Sequence, residues 1–121
     1  MYLASVNKAK RLLCLSFIGK VEAEELARGL QDLAALLSEL EPGFRVLADL
    51  ERLDSIGVGG AAEIGKAMEL CDQKGVGLVV RVIPDHTKDI GFGILTLFHY
   101  RQAPHTMTCK TMIEAAKALG I

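Results

Sequence analysis

The sequence predicts a mixed α/β domain, a five-stranded sheet backed by about four helices in the order β-β-α-β-α-β-α-β-α. Three observations lead there. Short apolar runs of strand character alternate with longer segments whose leucines recur at helical spacing. Turn sequences such as Glu41-Pro42-Gly43 and Asp72-Gln73-Lys74-Gly75 fall between those segments. The 121 residues are enough for one hydrophobic core, so residues 1–121 read as a single domain.

Tyr2 to Val6 and Arg11 to Ile18 are strands separated by the polar break Asn7-Lys8-Ala9-Lys10, an opening hairpin. In the second strand Leu13, Leu15 and Phe17 share one face and Leu12, Cys14, Ser16 and Ile18 the other, which places it inside the sheet. Gly19 breaks that strand. From Glu22 a helix carries the stripe Leu26, Leu30, Leu33, Leu37 and Leu40, interrupted by Gly29, a residue that marks close packing or costs about 1 kcal/mol. Pro42-Gly43 ends it, because proline lacks the N–H that would continue the helix. Phe44 to Leu50 is a strand, and Val58 to Cys71 a helix with Ala61, Ile64, Met68 and Cys71 buried. Val76 to Ile83 is a strand parallel to the one before it, since a helix joins the two. Ile90 to Tyr100 reads as a helix, Thr106 to Cys109 as a short edge strand and Thr111 to Leu119 as the last helix.

Composition narrows the function. A net charge of -1, without any Lys/Arg run, gives no field for nucleic acid. Residues 20–42 hold six acidic side chains against two basic ones, an acidic helix surface that is usually only solvated. Cys14, Cys71 and Cys109 lie far apart and read as thiols in a reducing compartment. No leader pattern opens the chain, and no apolar run approaches the roughly 20 residues needed to span a bilayer. The expectation is a soluble cytoplasmic protein.

The most informative stretch is Asp49-Leu50-Glu51-Arg52-Leu53-Asp54-Ser55-Ile56-Gly57-Val58-Gly59-Gly60. Its glycines do not form the dinucleotide fingerprint, and no lysine follows at phosphate-loop spacing. The plainest reading is a turn in which Asp54 or Ser55 caps the following helix. With this turn between the third strand and the second helix, and with a glycine-containing turn before the Val-rich strand, the chain resembles the STAS domain. That is the fold of anti-sigma factor antagonists and of the cytoplasmic tails of sulfate transporters; the likeness is greatest to stand-alone bacterial, SpoIIAA-like members. In phosphorylatable members the turn reads Asp-Ser-Ser-Gly or Asp-Ser-Thr-Gly, and the hydroxyl just before the glycine accepts phosphate from a partner kinase. Here Asp54-Ser55-Ile56-Gly57 occupies the turn, with Ile56 at the acceptor position.

The resemblance implies a non-enzymatic protein-interaction module of bacterial regulation, without cofactor, that meets an anti-sigma factor or kinase-like regulator. Asp54, Ser55, Ile56, Gly57 and Val58 would form the contact surface, with Phe92 of the apolar stretch 90–100 beside it. That stretch could alternatively cover a second copy; a membrane is disfavoured because a basic face is missing. Ser55 keeps one hydroxyl as a candidate phosphorylation site, favoured if it stands at a helix N-terminus. The alternative function is a small-ligand or catalytic site at the carboxyl ends of the parallel strands, built from Asp49, Asp54, Ser55 and His86. His86, His99 and His105 have no compact zinc spacing, so no metal is expected.

Overall fold

A computed structural model describes residues 1–83 and 105–121. Seven strands and three helices occur among them: β1 (Tyr2–Asn7), β2 (Leu12–Phe17), β3 (Gly19–Val21), α1 (Ala23–Leu37), β4 (Arg45–Asp49), β5 (Leu53–Ile56), α2 (Gly60–Lys74), β6 (Leu78–Val82), β7 (His105–Cys109) and α3 (Met112–Leu119). Five strands form one mixed sheet in the order β1-β2-β4-β6-β7. Only the β1–β2 hairpin is antiparallel; β2–β4, β4–β6 and β6–β7 run parallel. The hairpin turn is closed by Lys10 N–H donating to Asn7 Oδ1 at 3.1 Å and Arg11 N–H to Lys8 O at 3.1 Å.

The sheet is covered on both faces. Leu13, Leu15, Phe17, Val46, Ala48, Val79 and Ile83 point to the side of α1 and α2, where they meet Leu26, Leu33, Leu37, Ile64 and Met68. Leu12, Leu47, Val80, Val82 and Cys109 point the other way, toward Ala115 and Leu119 of α3. Two apolar faces on β2, β4 and β6 follow from this layering, as parallel strands between helices require. Thr111 caps α3 by accepting from Glu114 N–H at 3.2 Å, and the Glu114 carboxylate accepts in turn from Lys110 N–H. Arg45 ties the two ends of this layer together, donating to the carbonyls of Leu119 and Lys10.

The strands of the main sheet, its edge strand β7 and the β4–β6 parallel pairing are as the sequence predicts. Four details differ. α1 ends at Leu37, so Leu40 is buried in the following turn rather than on the helix, and Leu30 is only half-buried. α2 begins at Gly60, not Val58; Ala61 is exposed, and Gly60 and Gly65 lie on the buried line. Gly19 does not simply end a strand: it opens β3, which pairs in parallel with β5 in a second, two-stranded sheet. Three helices stand where about four were expected, because the helix predicted over 90–100 lies outside the described residues.

Gly29 has a packing role. A Cβ there would lie 2.8 Å from the Tyr2 ring, which packs in turn against Phe17 in a tilted pair, centroids 5.2 Å apart and planes at 45°. Gly75 ends α2 in the left-handed region, φ 91°, its N–H bonded to the carbonyls of Cys71 and Asp72. A Cβ on Gly75 would stand 3.1 Å from Pro42 Cβ, within the turn that ends in Gly43, whose N–H bonds Gly75 O at 2.7 Å. Gly75→Ala is therefore expected to lower stability by about 1–2 kcal/mol, read as a lower urea midpoint. An unchanged midpoint would contradict the strained conformation.

Candidate docking surface at the β5–α2 turn

The stretch singled out from the sequence follows β4. Asp49 Oδ1 accepts from Glu51 N–H at 3.0 Å, and Leu53 N–H bonds Leu50 O, so the chain turns tightly and enters β5. β5 does not join the main sheet. It pairs with β3, and backbone bonds extend that pairing at both ends: Gly19 N–H to Arg52 O and Gly57 N–H to Val21 O, each 2.8 Å. Gly60 N–H then closes a turn onto Gly57 O at 2.9 Å, and α2 starts.

Within this frame the side chains divide. Leu53 is buried, Asp54 and Ser55 are exposed, and Ile56 is half-buried against the main core. Ile56 Cγ2 lies where a Cβ on residue 60 would have to stand, so Gly60 is the space that Ile56 fills. Gly57 is closed over in the same way by the Glu22 carboxylate. Val58 is the opposite case: it is fully exposed at the tip of the turn. Gly59, with φ 85°, is the N-cap of α2 and supplies no side-chain bond.

This corrects the capping expectation. Neither Asp54 nor Ser55 caps α2, because both belong to β5 and the helix starts later, at Gly60. The helix-terminus argument for phosphate at Ser55 falls with it, since Ser55 lies several residues before the first helical turn. Of the alternative site, Asp49 is engaged by its own turn, and no side-chain hydrogen bond or ion pair joins it to Asp54 or Ser55. His86 and Phe92 lie outside the described residues. Among the described residues no group of three His, Cys, Asp or Glu side chains is placed to hold a metal ion.

The sheet order, with α1 and α2 on one face and α3 on the other, can be compared with solved structures. Superposed on the anti-sigma factor antagonist SpoIIAA in its unphosphorylated form, it gives a TM-score of 0.69 over 99% of this chain and 98% of that one. The chain has the SpoIIAA-like, STAS-domain fold. A SpoIIAA-like protein of the DUF3478 family from Shewanella loihica matches with a TM-score of 0.74 at 15% identity, covering 98% of this chain and 92% of that one. An anti-sigma factor antagonist from Mycobacterium paratuberculosis matches with a TM-score of 0.59 at 15% identity, covering 100% and 94%. Identity to SpoIIAA is 11%, so the shared feature is the SpoIIAA-like backbone. No family model matches the sequence, and no curated protein matches it either. No helix among the described residues is long and apolar enough to cross a membrane.

Proposed function

We propose that this SpoIIAA-like domain is a non-catalytic docking module of bacterial regulation, which binds a protein partner of anti-sigma-factor or kinase-like type through the β5–α2 turn. The observation that carries the reading is the division of labour at that turn. Val58 is fully exposed on a short loop bonded at both ends to buried elements, while Ile56 faces inward and brings no hydroxyl to the surface. An exposed apolar side chain on an ordered turn, flanked by the polar Asp54 and Ser55, is the composition of a small contact anchor. With isoleucine at the acceptor position, binding would not be switched by phosphate at residue 56 and would be constitutive or controlled elsewhere.

Val58→Asp tests this more cleanly than a change at Ile56, whose packing on Gly60 would confound folding with binding. The expected result is loss of at least tenfold in affinity for the partner recovered by the wild-type chain, with an unchanged melting temperature. A partner retained at full affinity by Val58→Asp would place the contact elsewhere. Turnover of a small molecule by the purified chain, abolished by Asp49→Asn, would replace the docking reading with the catalytic one.

A further inference from the structure

α3 covers the back of the sheet, the face opposite α1 and α2, with little side-chain volume. Its buried residues are Ala115 and Leu119, with Met112 and Ala118 half-buried beside them. On the other face α1 buries Leu26, Leu33 and Leu37, and α2 buries Ile64, Met68 and Cys71. The apolar side chains that hold α3 down are thus the fewest and smallest of the three helices. An eight-residue helix also depends on its packing, since isolated helices are marginal below about 12–15 residues.

Both ends of α3 are hydrogen-bonded, but by bonds of two kinds. At its start Thr111 Oγ1 accepts from Glu114 N–H, and the Glu114 carboxylate from Lys110 N–H, contacts that travel with the helix. At its end Gly120 N–H and Ile121 N–H return to Lys117 O and Ala116 O, again inside the segment. Arg45 is the exception. It stands at the first position of β4 and donates through one guanidinium nitrogen to Leu119 O and through the other to Lys10 O at 2.6 Å. Among the described residues this is the only hydrogen bond between residues 110–121 and the rest of the chain, and no ion pair joins them. The guanidinium also faces the negative end of the helix dipole.

We infer that α3 is a strap pinned by Arg45, which lifts as one unit from β6 and β7 while the sheet, α1 and α2 stay folded. Lifting bares Val80, Val82 and Cys109 on the back face; closing returns Ala115 and Leu119 to them and restores the Arg45 fork, so the closed form dominates. Arg45 acts on that face only through α3, which makes it a positioning residue. The β5–α2 turn leads into α2 on the opposite face, so the strap is independent of the proposed docking.

Cys109 and Cys71 report on the two faces separately. Both thiols are buried, Cys109 with α3 in the smaller core and Cys71 on α2 in the larger one. N-ethylmaleimide labelling of the native chain, with sites read by peptide mass spectrometry, is expected to modify Cys109 roughly tenfold faster than Cys71. Arg45→Met keeps an unbranched stem but loses the fork; it is expected to speed Cys109 labelling by roughly a further tenfold and to leave Cys71 unchanged. Amide hydrogen exchange is the second measurement. The amides of Ala116 to Leu119 are expected to exchange faster than those of β4 and β6, and they alone to accelerate in Leu119→Ala, which covers the case in which Arg45→Met fails to fold. Equal labelling of the two thiols in the wild type overturns the inference, because both would then wait for global unfolding. So does an Arg45→Met chain in which both thiols speed up alike or neither does. Fast labelling of Cys109 while the α3 amides stay as protected as those of β6 overturns it too, since the thiol would then be reached without any lifting.

Discussion

Replacing Phe44 by alanine is expected to remove about 3–5 kcal/mol of folding stability, a large share of the roughly 5–15 kcal/mol that a domain of this size possesses. Phe44 has no exposed surface and enters the larger core where α1 hands over to β4. Its own carbonyl accepts from Gly77 N–H at 2.8 Å, while its neighbours Gly43 and Arg45 bond Gly75 O and Arg11 O. The ring thus sits where three chain crossings are joined, and the backbone around it has little freedom to collapse into the space left behind. That is the condition under which truncation costs most. Equilibrium urea unfolding measures it, with Val58→Ala as the control, expected within about 0.5 kcal/mol of wild type because Val58 touches no core. Equal midpoints for the two variants would contradict the described packing.

The second large effect is alkaline destabilisation. Cys71 and Tyr2 both line a cavity of about 20 Å³ between the sheet and α2, room for roughly one water molecule. Burial pushes the Cys71 thiol from 9.0 up to about 12, and burial together with the Cys71 charge pushes the Tyr2 phenol from 10.0 up to about 12. In the unfolded chain these groups lose their protons near pH 9 and 10, while the folded chain still holds them. The unfolded state therefore binds fewer protons across that window, and stability falls as pH rises. The stability is fully present below pH 9 and is lost by about pH 12. Each group contributes a slope of about 1.4 kcal/mol per pH unit, which for Cys71 accumulates to about 4 kcal/mol. Cys71→Ala should lower stability at pH 7 and flatten the decline above pH 9, read from urea midpoints across the pH series. Parallel declines in wild type and variant would show that the thiol is not held neutral by the fold.

These expectations rest on features of unequal visibility in the sequence. β2 was legible as an interior strand because Leu12 to Phe17 are apolar on both faces, which only a strand between two layers requires. α1 was legible from its leucine spacing, and α3 falls within the predicted segment Thr111 to Leu119. The β3–β5 pair was not. Three and four residues are too few to show a period, and Leu53 to Ile56 becomes a strand only because Gly19–Val21 lies alongside it. The same pairing explains the failed capping assignment, since Asp54 and Ser55 have cap chemistry but are drawn into an extended segment. At the candidate surface the position was readable and the roles were not. Ile56 and Val58 are both β-branched and apolar, and the difference between them, one against Gly60 and the other in water, is decided by the left-handed Gly59 that starts the helix after Val58. The stretch Ile90 to Tyr100, with Phe92, lies outside the described residues and adds nothing to this comparison.

The small β3–β5 ladder has a mechanical consequence. Because Gly57 is fastened to Val21, immediately before the first turn of α1, and Gly60 to Gly57, the beginnings of both helices are anchored to the same few amides. A molecule pressing on Val58 meets a finger already splinted at its base, so little conformational freedom is surrendered on contact. Under the proposed docking, recognition at that point would depend on the fit of the two surfaces, with scant cost for arranging one of them beforehand.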